Sequence, residues 1–198
     1  MGLSKSYSLD KKEKTFLIFI AVSLGCNVLA YITSYLGNNV YVVYLFTVCE
    51  ALILPIFLLE APERKKYRIA WISTVLVIIG VVVFEAIARE GGIQKWNNLS
   101  LTLVALTAGI MSIRKLLKLR FDERIFDLAK SSVFWFTLGL GVYYLGNLLI
   151  YSFLRVFQNE APELLSNLTY FRLSVVYISV ILYIVGFAQI KSNAKLAT

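Results

Sequence analysis

Long apolar stretches, separated by short connections that carry most of the charge, constrain this chain more than anything else in it. Six stand out: 15–35, 38–59, 69–88, 99–113, 131–154 and 164–190. A helix needs roughly 20 mostly apolar residues to cross the ~30 Å hydrocarbon layer of a bilayer. Five of the six reach that length alone. The fourth is shorter and completes its crossing by running on through Arg114-Lys-Leu-Leu-Lys118, whose basic side chains are expected to snorkel to the interface. The pattern predicts an all-α polytopic membrane protein, a bundle of six transmembrane helices at 15–190, between a segment 1–14 and a tail 191–198.

Composition agrees. The 198 residues are 59% hydrophobic and only 16% charged, against about 25% charged in an ordinary soluble domain. A net charge of +8 invites a nucleic-acid reading, but no solvated domain gathers the Lys and Arg onto one face. Topology explains the excess better. With the N-terminus inside, sixteen Lys and Arg fall on the cytoplasmic side of the spans and only Arg89, Lys95 and Arg155 on the other. This asymmetry predicts both termini in the cytoplasm, most simply in a bacterial inner membrane. The basic face would also attract anionic inner-leaflet lipid.

The first apolar segment is of span length, longer than the 7–15-residue core of a cleavable signal, so the N-terminus reads as a first span. Cys26 and Cys49 lie within spans without CxxC spacing, and the sequence has no His. A disulfide framework, a zinc site and His-dependent catalysis are therefore not expected, and no cofactor is predicted.

The outer connections, 37–39, 89–96 and 155–163, are too short to fold as domains. Inside, 60–68 is a Pro-containing turn, whereas 114–130 is more substantial. There Leu117, Phe121, Ile125 and Leu128 recur at helical spacing among charges, predicting an amphipathic inner helix between helices 4 and 5. It would lie on the bilayer or dock a cytoplasmic protein partner. The triplets Asn98-Leu-Ser100 and Asn167-Leu-Thr169 match a glycosylation acceptor, but their nearness to the membrane makes helix caps the simpler reading.

Polar residues inside the spans carry the functional signal, because lipid cannot hydrogen-bond and such groups turn toward the bundle interior. Asn27, Glu50, Glu85, Asn147 and Arg172 all fall roughly 5 to 18 Å below the outer boundary at 1.5 Å per residue. Helices 1 and 5, which run the same way, each add a Tyr four residues after the Asn: Asn27 with Tyr31, and Asn147 with Tyr151. Residues i and i+4 share a face, so two similar polar ledges are expected. Interhelical hydrogen bonding is the plain alternative to a binding site. For the charges, Glu50 pairs with Arg172, Arg172 pairs with Glu85, or Glu50 is held neutral. Pro55 would loosen helix 2.

Ser132, Gly139 and Gly146 recur every seven residues in helix 5, and Ala105 and Gly109 are four apart in helix 4. These small residues predict close helix packing, within the chain or in a homo-oligomer. Tyr31, Tyr35, Tyr41, Tyr151, Phe153 and Tyr170 mostly fall near the expected outer interface and read first as belt residues.

Helix 5 contains Phe134-Trp135, Gly139, Tyr143 and Gly146-Asn147, and helix 2 contains Tyr44 and Glu50. In these features the chain resembles a family of small polytopic membrane proteins common in Bacteroidota. That family has no established chemistry, so the resemblance implies neither substrate nor catalytic residues.

No HExxH, GxSxG or paired-Asp motif is present, so catalytic residues are not predicted. The sequence favours a membrane sensor or accessory subunit with a polar pocket in the outer half of the bundle, drawn from Asn27, Tyr31, Glu50, Glu85, Tyr143, Asn147, Tyr151 and Arg172. A transporter or channel using Glu50, Glu85 and Arg172 along its path is the second reading, and an intramembrane lipid-modifying enzyme the third.

Overall fold

A computed structural model describes residues 10–35, 40–58, 65–87, 98–121, 127–160 and 162–196, with the side chains of 65–68, 70–71, 98, 153–166 and 191–196 excepted. Six α-helices and one 3-10 turn follow in order: α1 (Lys11–Ser34), α2 (Val40–Leu58), α3 (Lys65–Ile87), α4 (Asn98–Arg120), the turn Leu128–Lys130, α5 (Ser132–Glu160) and α6 (Pro162–Leu196). No strand occurs among the described residues. α1, α2, α4, α5 and α6 are each long and apolar enough to cross a membrane. α3 spans 23 residues, Lys65–Ile87. The fourth apolar stretch, short at 99–113, continues through Arg120 as one helix, as expected.

The helices outrun the apolar stretches that announce them. Asp10 begins α1 four residues earlier than hydropathy alone suggests. Its side chain accepts from the Lys11 N–H at 2.7 Å and that of Glu13 accepts from the Asp10 N–H at 2.9 Å, a capping box. α5 extends to Glu160 and α6 starts at Pro162, so most of the expected outer loop 155–163 is helix. Pro162 suits the first helical position, where its fixed φ is already helical and its missing N–H has no intrahelical partner to lose. α6 likewise runs past Ile190 into the expected tail. Polar residues end an apolar run without ending a helix.

A separate amphipathic helix over 114–130 is not what is seen. Residues 114–120 are the last turns of α4 and 128–130 form the 3-10 turn, capped by the Asp127 side chain at the Ala129 N–H, 3.1 Å. Leu117 and Phe121 are exposed; Ile125 lies outside the described residues. The other connections, 36–39, 59–64 and 88–97, also lie outside them. Asn98 is the first residue of α4, with its side chain outside the described ones, and Asn167 sits five residues inside α6 and is no cap.

α5 is the central helix, packed along α4 on one side and α6 on the other; α2 joins α1, α3 and α4. Small residues set the α5 contacts. A Cβ at Gly139 would lie 2.4 Å from Tyr183 Cε1, and one at Gly146 would lie 2.7 Å from Val175, both on α6. Gly109 of α4 similarly admits Leu145. Gly139 and Gly146 therefore serve packing within the chain, as small residues do where helices approach closely. The third residue of that series, Ser132, instead donates to buried Glu13 at 2.7 Å and ties α5 to α1.

One end of the bundle is closed by aromatic rings. Phe16 stacks on Phe136 with centroids 4.1 Å apart, and Phe57, Tyr183 and Phe187 surround it at 5.3, 5.1 and 6.1 Å. Beside this floor, Lys115 does not snorkel as expected. It is buried, 3.9 Å over the Phe57 ring, and its ammonium donates to the Phe57 carbonyl at the end of α2. A cation at a helix C-terminus meets both the orphan carbonyls and the negative end of the dipole.

Candidate functional site

Above the aromatic floor, α1, α2, α5 and α6 enclose a cavity of about 400 Å³, within the range of small-molecule sites. α1 supplies Phe19, Ile20, Ser23, Cys26, Asn27 and Ala30. α2 supplies Val42, Val43, Phe46 and Glu50. α5 contributes Tyr143 and Tyr151, and α6 contributes Arg172, Val176, Ser179, Val180 and Tyr183. The walls are mostly apolar, with a few convergent polar groups.

Glu50 lies almost fully buried on α2, ten residues into the helix, where one face turns to α5. Its carboxylate accepts a hydrogen bond from the Tyr144 hydroxyl, itself buried. A buried carboxylate needs such a donor. Among the described residues no ion pair joins Glu50 to Arg172. Arg172 lines the cavity together with Tyr151 and Tyr143. Tyr143 and Tyr151 are eight residues apart, about 12 Å of helix rise, and line the cavity from one helix. The polar lining thus comprises Arg172, Tyr151, Tyr143 and Glu50, with Tyr144 holding the Glu50 carboxylate.

Two expected ledges do not form. Asn27 lines the cavity, but its amide donates to the Ser23 carbonyl in its own helix at 2.8 Å. Tyr31 is 66% exposed on the outer surface of α1 and shares a 2.6 Å hydrogen bond with Tyr35. Sharing a face with Asn27 did not suffice, since 100° per residue leaves Tyr31 some 40° further round the helix. Asn147 is fully buried behind the cavity wall; its amide donates to the Tyr143 carbonyl at 2.7 Å, and its Oδ1 has no partner among the described residues.

Glu85 also leaves the expected site. Its two oxygens accept from the Leu99 N–H at 3.0 Å and from the Ser100 N–H and hydroxyl at 2.9 and 2.7 Å. It therefore caps the N-terminus of α4, satisfying orphan donors and setting a negative charge at the positive end of the helix dipole. Ser100 is fully buried in this cap, which argues against the first glycosylation triplet.

Of the eight expected site residues, Asn27, Glu50, Tyr143, Tyr151 and Arg172 thus line one cavity, Asn147 backs it, and Tyr31 and Glu85 do not belong to it. Sequence reasoning missed Tyr144, the direct partner of Glu50, although the doublet Tyr143-Tyr144 was visible. It also missed Ser23, a lining residue whose buried hydroxyl has no partner among the described residues.

Chemically, the cavity offers a guanidinium for an anion, phenol hydroxyls for hydrogen bonds and one carboxylate. Among the described residues no three His, Cys, Asp or Glu side chains gather to hold a metal. Comparison with protein families, curated proteins and solved structures finds no match for this chain.

Proposed function

We propose that the chain is an integral membrane protein of six transmembrane helices with both termini in the cytoplasm, in a bacterial inner membrane, acting as a sensor or accessory subunit. It takes a small ligand into the cavity of the outer half and passes the occupied state to a cytoplasmic partner through the basic stretch 114–130. The observation that carries this reading is the cavity itself, of about 400 Å³, with Glu50, Tyr143, Tyr151 and Arg172 converging on it from three helices. The floor of Phe16, Phe57, Phe136 and Tyr183 beneath it supports reception over passage, and Glu85, which a transport path would use, is occupied in capping α4. A homo-oligomer and contact with anionic inner-leaflet lipid are compatible with this role, as is membership of the Bacteroidota family that the helix 5 pattern resembles.

The test uses the two cysteines. In a Cys49→Ser background Cys26 is the single thiol and lines the cavity. A small polar methanethiosulfonate applied to the protein in nanodiscs is expected to modify it, and an inert Cys26 refutes an accessible cavity. Charge reversal at Lys118 and Arg120 should abolish co-purification of a cytoplasmic partner, while ligand-dependent flux in liposomes made from the purified chain would favour transport instead.

A further inference from the structure

The cavity has an incomplete wall. α1 and α6 bound it on opposite sides, yet they share no extended packing surface and meet through Phe16 with Tyr183 and Phe187 at the floor. Above that contact, the cavity is lined from Phe19 to Ala30 on α1 and from Tyr183 back to Arg172 on α6. Eleven residues of helix make a slot about 16 Å long. Its rim residues Asn27, Arg172 and Val180 line the cavity and are exposed. Placed in a bilayer as proposed above, the slot would face acyl chains along its length and interfacial water at its Arg172 end.

Arg172 and Asn27 stand at the end of the slot away from the floor; toward the floor Phe19, Ile20, Val176 and Val180 supply apolar lining, with Ser23, Ser179, Tyr183 and Glu50 among them. An exposed guanidinium at this depth is costly in lipid unless it meets an anion or snorkels, and its planar fork suits a carboxylate or phosphate. Glu50 does not supply that anion.

Resting on the cavity reading above, we infer that the ligand is an anionic amphiphile with one acyl chain, held with its head group on Arg172 and its chain in the slot between α1 and α6. The head group replaces water on the guanidinium with a charge-assisted pair, and the chain covers the apolar slot that the two helices leave open. A soluble polar anion would satisfy Arg172 and leave the slot uncovered, and a neutral amphiphile would do the reverse. Both halves of the ligand are therefore required.

The experiment measures protection of Cys26 from the polar thiol reagent, in the Cys49→Ser protein in nanodiscs of a zwitterionic lipid. Dodecanoate is expected to slow modification saturably, while butyrate and dodecanol at equal concentration do so weakly or not at all. Arg172→Gln should raise the dodecanoate concentration for half-protection roughly tenfold or more, the usual scale for losing one charge-assisted contact, with protection read against the variant's own unprotected rate. Equal protection by butyrate refutes the acyl chain and leaves the cavity reading intact. Equal protection by dodecanol, or unchanged protection in Arg172→Gln, refutes the head-group assignment. A reactive Cys26 that none of the three protects refutes the inference alone, whereas an unreactive Cys26 removes the cavity with it.

Discussion

Replacing Glu85 by Ala gives the sharpest measure of what the polar groups in this bundle do, because the structure moves this residue from the expected pocket to the start of α4. Its carboxylate takes three hydrogen bonds, two from backbone N–H groups and one from a fully buried hydroxyl. Losing a helix N-cap costs about 0.5 to 2 kcal/mol. Leaving the Ser100 hydroxyl without this acceptor adds about 1 to 3 kcal/mol where water does not reach. The two contributions share one group and do not simply add, so about 3 kcal/mol of destabilisation is expected for Glu85→Ala. Glu85→Gln keeps one carbonyl acceptor but turns an amide donor toward another donor and removes the charge from the helix dipole, which places it near half that loss. Equilibrium unfolding in mixed micelles, followed by helical circular dichroism, measures both. Cys26 modification in the folded fraction should keep its wild-type rate, since Glu85 is not a lining residue of the cavity. A Glu85→Ala protein within about 0.5 kcal/mol of wild type, or one whose Cys26 rate changes while the fold survives, would falsify the capping assignment.

The remaining predictions concern the packing and the polar wall. Tyr144→Phe removes the hydroxyl that serves buried Glu50 and should cost about 1 to 3 kcal/mol by the same unfolding measurement; Tyr144→Phe combined with Glu50→Leu should recover part of the loss, and failure to recover any argues against the pair. Gly139→Ala sets a Cβ against the Tyr183 ring and should destabilise by about 1 to 3 kcal/mol, whereas Gly25→Ala, with nothing within 4 Å, should be neutral or stabilising by up to about 1 kcal/mol. Thermal stability of the two variants side by side checks this, and equal effects would contradict the α5–α6 packing. Lys115→Met keeps the packing on Phe57 but loses the cap on α2, and should lower stability by about 1 to 2 kcal/mol at any salt concentration, because the group is buried from screening. A loss that disappears at high salt would place Lys115 at the surface instead.

Much of the architecture was legible in the sequence because hydropathy is a one-dimensional property. The apolar runs predict six helices, and six are found, with ends displaced where capping residues such as Asp10 or Pro162 carry the helix past the apolar run. The small residues Gly139 and Gly146 likewise announced close packing, since only a missing side chain permits the approach of α6. The candidate site was less legible. The shared depth of Asn27, Glu50 and Arg172 could be counted along the chain, and all three do reach one cavity. Glu85 is similarly deep, and what removed it was the donor end of α4, brought beside it by tertiary packing. Tyr31 was lost because facing a neighbour depends on helix rotation, which one sequence does not specify; Tyr144 was missed for the same reason. The sequence by itself determined that these polar groups lie within apolar helices and must find partners. Only the tertiary structure decided which partner each one found, and that α1 and α6 part above Phe16 to leave a slot, because rotation and separation of helices are set by side-chain contacts between segments far apart in the chain.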